Sequence, residues 1–119
     1  MDETPIRIRL GDAVLTGRLR GNPTAEDLLA QLPLTLTFKD FNGVEKIATL
    51  PRPLSLEGAP AAAAPDAGDI AFYAPTNDLV LYYRGIDRWP GIVPIGRFDG
   101  PMDRIEQQSA AFEVTIERG

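Results

Sequence analysis

The sequence contains no cysteine and no histidine. Disulfide staples, zinc sites of the usual Cys/His kind, thiol nucleophiles and every histidine-based triad are thereby excluded. Positive charge is scarce as well. Twelve Lys and Arg stand against 17 Asp and Glu, a net charge of −5 with a pI near 4.6. A surface of that sign repels phosphate backbones, so nucleic acid is not an expected partner. No apolar run approaches the roughly 18 residues of a membrane span, which points to a soluble protein without a membrane partner. Residues 1–5 lack the charged-then-apolar layout of an export signal. The expected compartment is the cytoplasm, with the periplasm kept open because a periplasmic domain can also lack cysteine.

What the sequence has in surplus is turn chemistry, with 11 Gly and 11 Pro among 119 residues. That surplus goes with short strands joined by tight turns. The length suits one domain, residues 1–119, with a single core that packing alone must stabilise.

Ile6, Ile8 and Leu10 alternate with Arg7 and Arg9, the period of a half-buried strand. Gly11 then turns the chain into a second apolar run, so residues 6–19 read as a hairpin. Asn22 and Pro23 open a helix as cap and first residue, and Glu26 and Asp27 suit its positive end. Ala25, Leu28, Leu29 and Leu32 make one apolar stripe, which Pro33 ends. Such a helix serves best as a lid over one end of a sheet or barrel. Leu34, Leu36 and Phe38 alternate again, and Asn42-Gly43 signals a hairpin into residues 44–50.

Residues 58–68 are a low-complexity Ala/Pro/Gly segment, expected as an ordered surface loop or a single turn. Residues 70–74 and 79–83 read as strands, the second apolar on both faces and hence covered on both sides. The loop at 85–91 holds the single Trp. A strand over 92–98 is expected to break near Pro94, and Asp99-Gly100-Pro101 caps a helical turn through about Gln107. Phe112, Val114 and Ile116 mark the last strand. About eight short strands with one good helix make a mainly β fold, a barrel or a sandwich, and closure into a barrel removes aggregation-prone edges.

Several strings taken together resemble a small bacterial cyclophilin-like family. They are Asn22-Pro23-Thr24-Ala25, Leu32-Pro33-Leu34, residues 39–46 (KDFNGVEK), Leu50-Pro51-Arg52-Pro53-Leu54, Glu57-Gly58-Ala59-Pro60, residues 68–75 (GDIAFYAP), 77–83 and 112–116. The resemblance implies a closed cyclophilin-like β-barrel with a helix plugging one end. It implies no activity. True cyclophilins polarise a prolyl amide with an Arg set among apolar walls, a Gln, a Trp and a His. Here there is no His, Gln107 and Gln108 fall on the helical turn, and Arg52 alone could take the Arg part. Isomerisation faces a barrier of about 18–20 kcal/mol and needs several placed groups, so the residues do not support it.

Tyr73, Tyr82, Tyr83 and Trp89 gather in the second half of the chain. Aromatic residues on alternating strands ordinarily belong to a core, but a Trp in a loop is harder to account for that way. Arg52 and Arg84 ordinarily sit as exposed charges paired with carboxylates. Asp69, Asp78, Asp87, Asp99 and Asp103 match no calcium loop or catalytic frame, and turn or capping roles explain Asp69 and Asp99. Gly85, Gly91, Gly96 and Gly100 form no phosphate loop, so no nucleotide cofactor is expected, nor any metal.

The expected function is a non-catalytic binding domain. Arg52, Tyr73, Tyr82, Trp89 and Ile92 would line a cleft for an extended or proline-containing peptide or a small apolar ligand. A degenerate prolyl isomerase and a structural assembly module are the alternatives, and the chain is expected as a monomer or weak dimer.

Overall fold

The computed structural model describes residues 3–100, 102–108 and 110–119. Pro101, read above as part of a helix cap, lies outside the described residues, as do Met1 and Asp2 of the acidic N-terminal stretch.

In chain order the strands are β1 (Thr4–Leu10), β2 (Ala13–Leu19), β3 (Leu34–Phe41), β4 (Glu45–Thr49), β5 (Ala62–Ala63), β6 (Asp69–Tyr73), β7 (Asp78–Tyr82), β8 (Trp89–Pro90), β9 (Ile92–Asp99) and β10 (Phe112–Arg118). Helix α1 spans Pro23–Leu29 and α2 spans Met102–Glu106, with one turn of 3₁₀ helix at Ala74–Thr76. Eight strands close into an antiparallel barrel in the order β1-β10-β3-β4-β7-β6-β9-β2. Alternation drives the closure. Ile8 is buried and pairs with Leu15 on one side and Ile116 on the other, while Arg7 and Arg9 point to solvent. Each strand thus sends every second side chain inward, and a closed ring has no unpaired edge.

Both mouths are stoppered. Asn22 caps α1 as expected, its Oδ1 accepting from Ala25 N at 2.8 Å, and its Nδ2 ties the helix to Pro94 O at 3.2 Å. Leu28 and Leu29 enter the core from this mouth. At the other mouth Ile105 of α2 is fully buried in the same core. Helix α1 ends at Leu29, short of the expected Leu32. After Ala30 the amides of Gln31 and Leu32 bond back only three residues, to Leu28 and Leu29, because a residue before proline is pushed out of helical geometry.

The strand expected to break near Pro94 is continuous but bulged. Its register against β6 shifts between Ile70 and Ala71, opposite Gly96 and Pro94, where proline offers no amide to the ladder. At Asn42-Gly43 both residues have positive φ, 57° and 67°, as the hairpin into β4 requires. Strand β7 is buried at all five residues. Leu79 and Leu81 face the barrel core, while Val80 and Tyr82 belong to a second apolar cluster with Ala71 and Ile92 on the outer wall. A helix long and apolar enough to cross a membrane is absent among the described residues.

Candidate functional site

The second cluster exists because the outer wall is covered. Ala62–Ala63 pairs antiparallel with Trp89–Pro90, a two-stranded ribbon that the sequence reading treated as loop on both sides. Further backbone bonds fasten the two segments, from Ile86 N to Pro65 O at 3.0 Å and from Gly91 N to Ala61 O at 3.1 Å. Gly91 lets the ribbon come close. Its φ is +87°, and a Cβ there would stand 2.8 Å from the Pro75 ring. The Gly91 carbonyl in turn accepts from Ala74 N at 3.0 Å.

Beside the Trp89 strand of this ribbon the outer wall carries an open cleft of about 490 Å³. Its floor is built from outward-facing residues of adjacent strands, where Glu45 pairs with Tyr82 and Ile47 with Val80, with Asp78 beyond them on β7. Phe41, Asn42 and Val44 of the β3–β4 turn border the Glu45 end, and Ile86, Asp87 and Trp89 border it from the loop. Trp89 is 55% exposed, and its Nε1 donates to Tyr73 Oη at 3.3 Å.

The lining carries three carboxylates, Glu45, Asp78 and Asp87, and no Lys or Arg. Asp78 is engaged, accepting from Thr49 Oγ1 at 2.8 Å and Thr76 Oγ1 at 2.6 Å. Glu45 differs. The ion pairs among the described residues use Glu117, Asp40, Glu106 and Asp69 as their acids and leave Glu45 without a cation. Burial, reinforced by the charges of Asp40 and Asp78, pushes its carboxyl up to about 7. Burial also raises the neighbouring Tyr82 phenol.

The next residue, Lys46, points the other way, into the barrel, and is 1% exposed. Its Nζ sits 3.1 Å from Asp40 Oδ1, donates to Gln108 O, and lies 5.4 Å and 5.8 Å from the ring centroids of Tyr83 and Phe112. Tyr83 Oη donates to Asp40, and that bond, with Lys46 and the Gly43 amide, holds the Asp40 carboxyl below its usual range. Burial and the bond to Asp40 push the Tyr83 phenol up to about 12. Every polar group in this cluster has a partner, so it reads as structure.

Residues 8–117 match the cyclophilin-like family. The chain belongs to that family. Among solved structures it is similar to a hypothetical protein from Archaeoglobus fulgidus determined in solution, with a TM-score of 0.71 and 19% identity over 98% of this chain and 95% of that one. At that identity the likeness speaks for the fold, and its archaeal source shows that the fold is not confined to bacteria. No curated protein matches the chain.

In this cyclophilin-like barrel Tyr73, Tyr82, Trp89 and Ile92 come together at the cleft, and Arg52 does not. Arg52 follows the end of β4 as an exposed residue outside the lining. Tyr83 lies inside the barrel, and Arg84 pairs with Glu106 at 2.7 Å. Asp69 bonds to Arg97 and accepts from Asp66 N, a turn role. Asp78 and Asp87, read from sequence as structural, line the cleft, and Glu45 was missed altogether. The signal for Glu45 was its parity. It shares the outward face of β4 with Ile47, and an apolar residue on an outward face implies cover. Among the described residues no group of three or more acids is arranged to hold a metal ion.

Proposed function

We propose that this cyclophilin-like domain binds a small, largely apolar ligand in the outer-wall cleft and performs no chemistry on it. The observation that carries the proposal is the concave, mostly apolar stretch of outer wall. The β3–β4 turn, Ile86, Asp87 and Trp89 border an open cleft of about 490 Å³ over a Val80–Tyr82–Ile92 floor, with Trp89 half exposed at the rim. Ligand sites are typically concave, mostly apolar and within roughly 300–1,000 Å³. An exposed Trp beside such a space loses water contact when a ligand enters, which favours binding.

A degenerate isomerase needs a cation aimed at a substrate carbonyl, and the lining holds neither Arg nor Lys. A volume of about 490 Å³ suits a small ligand, whereas an extended proline-containing peptide would reach beyond the lining, so the small ligand is the better fit.

Trp89 is the single tryptophan, so its fluorescence reports on the cleft directly. Titration with phenylbutanol is expected to give a saturable blue shift, with amide NMR shifts concentrated at Val80, Tyr82 and Ile92. Unchanged fluorescence at millimolar phenylbutanol, or shifts scattered over the barrel, would overturn the proposal.

A further inference from the structure

Resting on that reading of the cleft, we infer that its ligand is cationic: an apolar amine whose ammonium group is taken by Glu45 while its hydrocarbon body lies over Ile47 and Val80. The inference stands on charge complementarity. The lining presents Glu45, Asp78 and Asp87 and not one basic residue. An anionic ligand would meet repulsion from all three, and a neutral one would leave the Glu45 charge as it is, partly desolvated and unpartnered.

Glu45 is the acid with room for a partner. The oxygens of Asp78 are already accepting from Thr49 and Thr76, whereas the Glu45 side chain takes no hydrogen bond or ion pair among the described residues. Its position suits a ligand with one charged end. Tyr82 stands directly across the ladder from it and Phe41 on its other side, so an ammonium at Glu45 would be flanked by aromatic rings. From Glu45 the apolar floor runs along Ile47 and Val80 toward Tyr73, with Trp89 bordering it. The raised carboxyl supports this picture, since a bound ammonium restores the ionised form that burial disfavours.

Three probes of one shape separate this inference from the reading beneath it: phenylbutylamine, phenylbutanol and phenylbutyrate, titrated against Trp89 fluorescence. At about pH 8 the amine is expected to bind at least ~10-fold tighter than the alcohol, since charge-assisted hydrogen bonds are the strong ones, and the carboxylate to bind weakest. In Glu45→Gln the amine should lose that preference over the alcohol, and a thermal melt checks that the variant is folded.

The preference should also fade as pH drops through about 7, where Glu45 takes up its proton. Groups facing Glu45 are Asp40 on β3, Asp78 and Tyr82 on β7 and Asp87 on the loop, and the Glu45→Gln titration subtracts their contribution. Equal affinity for amine and alcohol overturns the cationic ligand but leaves the cleft as a site. A preference that survives Glu45→Gln overturns the role of Glu45. Failure of all three probes overturns the site, and this inference with it.

Discussion

Two consecutive residues of β4 carry opposite charges into opposite surroundings. Lys46 enters the barrel and finds Asp40, the Gln108 carbonyl and two aromatic faces waiting for it. Glu45 turns to the outer wall and finds two further acids and no cation. Burying a charge is unfavourable unless partners replace the lost water. The interior cluster meets that demand within the chain itself. The cleft leaves it unmet within the chain, which is the basis of the proposed amine site. One strand therefore separates a partnered charge from an unpartnered one by a single residue, through the alternation of its side chains.

Breaking the interior partnership should give the largest effect. Asp40→Asn removes the counter-charge of a buried ammonium and should lower unfolding free energy by roughly 3 kcal/mol, the low end for a broken buried pair, because Asp40 is itself 35% exposed. Urea denaturation reads this directly. Adding Lys46→Met to that variant should recover most of the loss, since an apolar side chain of similar length needs no counter-charge. A loss under about 0.5 kcal/mol in the single variant would show that Lys46 is not held by its partners.

A smaller effect of opposite sign belongs to the cleft. Glu45 ordinarily titrates at 4.5 and is lifted to about 7 in the fold. Between those values the folded chain keeps a proton that the unfolded chain has released, so stability falls as pH rises through the window. The loss should be about 1–2 kcal/mol in total, reduced from the full shift because the carboxyl keeps partial access to water. Melts of Glu45→Gln should lack this decline between pH 4.5 and about pH 7. Parallel pH profiles for the two proteins would place Glu45 in ordinary solvent.

The barrel was legible because its signal is local. Ile6, Ile8 and Leu10, or Leu34, Leu36 and Phe38, show their inward face by alternation alone, and Asn42-Gly43 fixes a register. The unbroken apolar run at β7 even showed that something covers the outer wall. What covers it was not legible. The pairing of Ala62–Ala63 with Trp89–Pro90 joins segments far apart in sequence, and neither carries a periodic pattern. Tyr73, Tyr82, Trp89 and Ile92 are candidates from the sequence that the fold places on the cleft lining, whereas Glu45 owes its character to strands and loops folded around it. Arg52 is a candidate from the sequence as a cation between two prolines, and the fold leaves it exposed beyond β4, outside the cleft lining.

Arg52 thus supplies the smallest effect. Arg52→Ala should change stability by less than about 0.5 kcal/mol, as for most exposed positions, and leave phenylbutanol affinity within about twofold. A large drop in affinity by fluorescence titration would extend the site to Arg52 and return a cation to it.

The contrast along β4 is tested most directly at the Glu45 carboxyl itself, by following its side-chain carbon shift by NMR across pH with and without saturating phenylbutylamine. The expected midpoint is near 7 for the free protein and at least about one unit lower with the amine bound. A midpoint near the ordinary 4.5 in the free protein, or one that the amine leaves unmoved, would contradict the account.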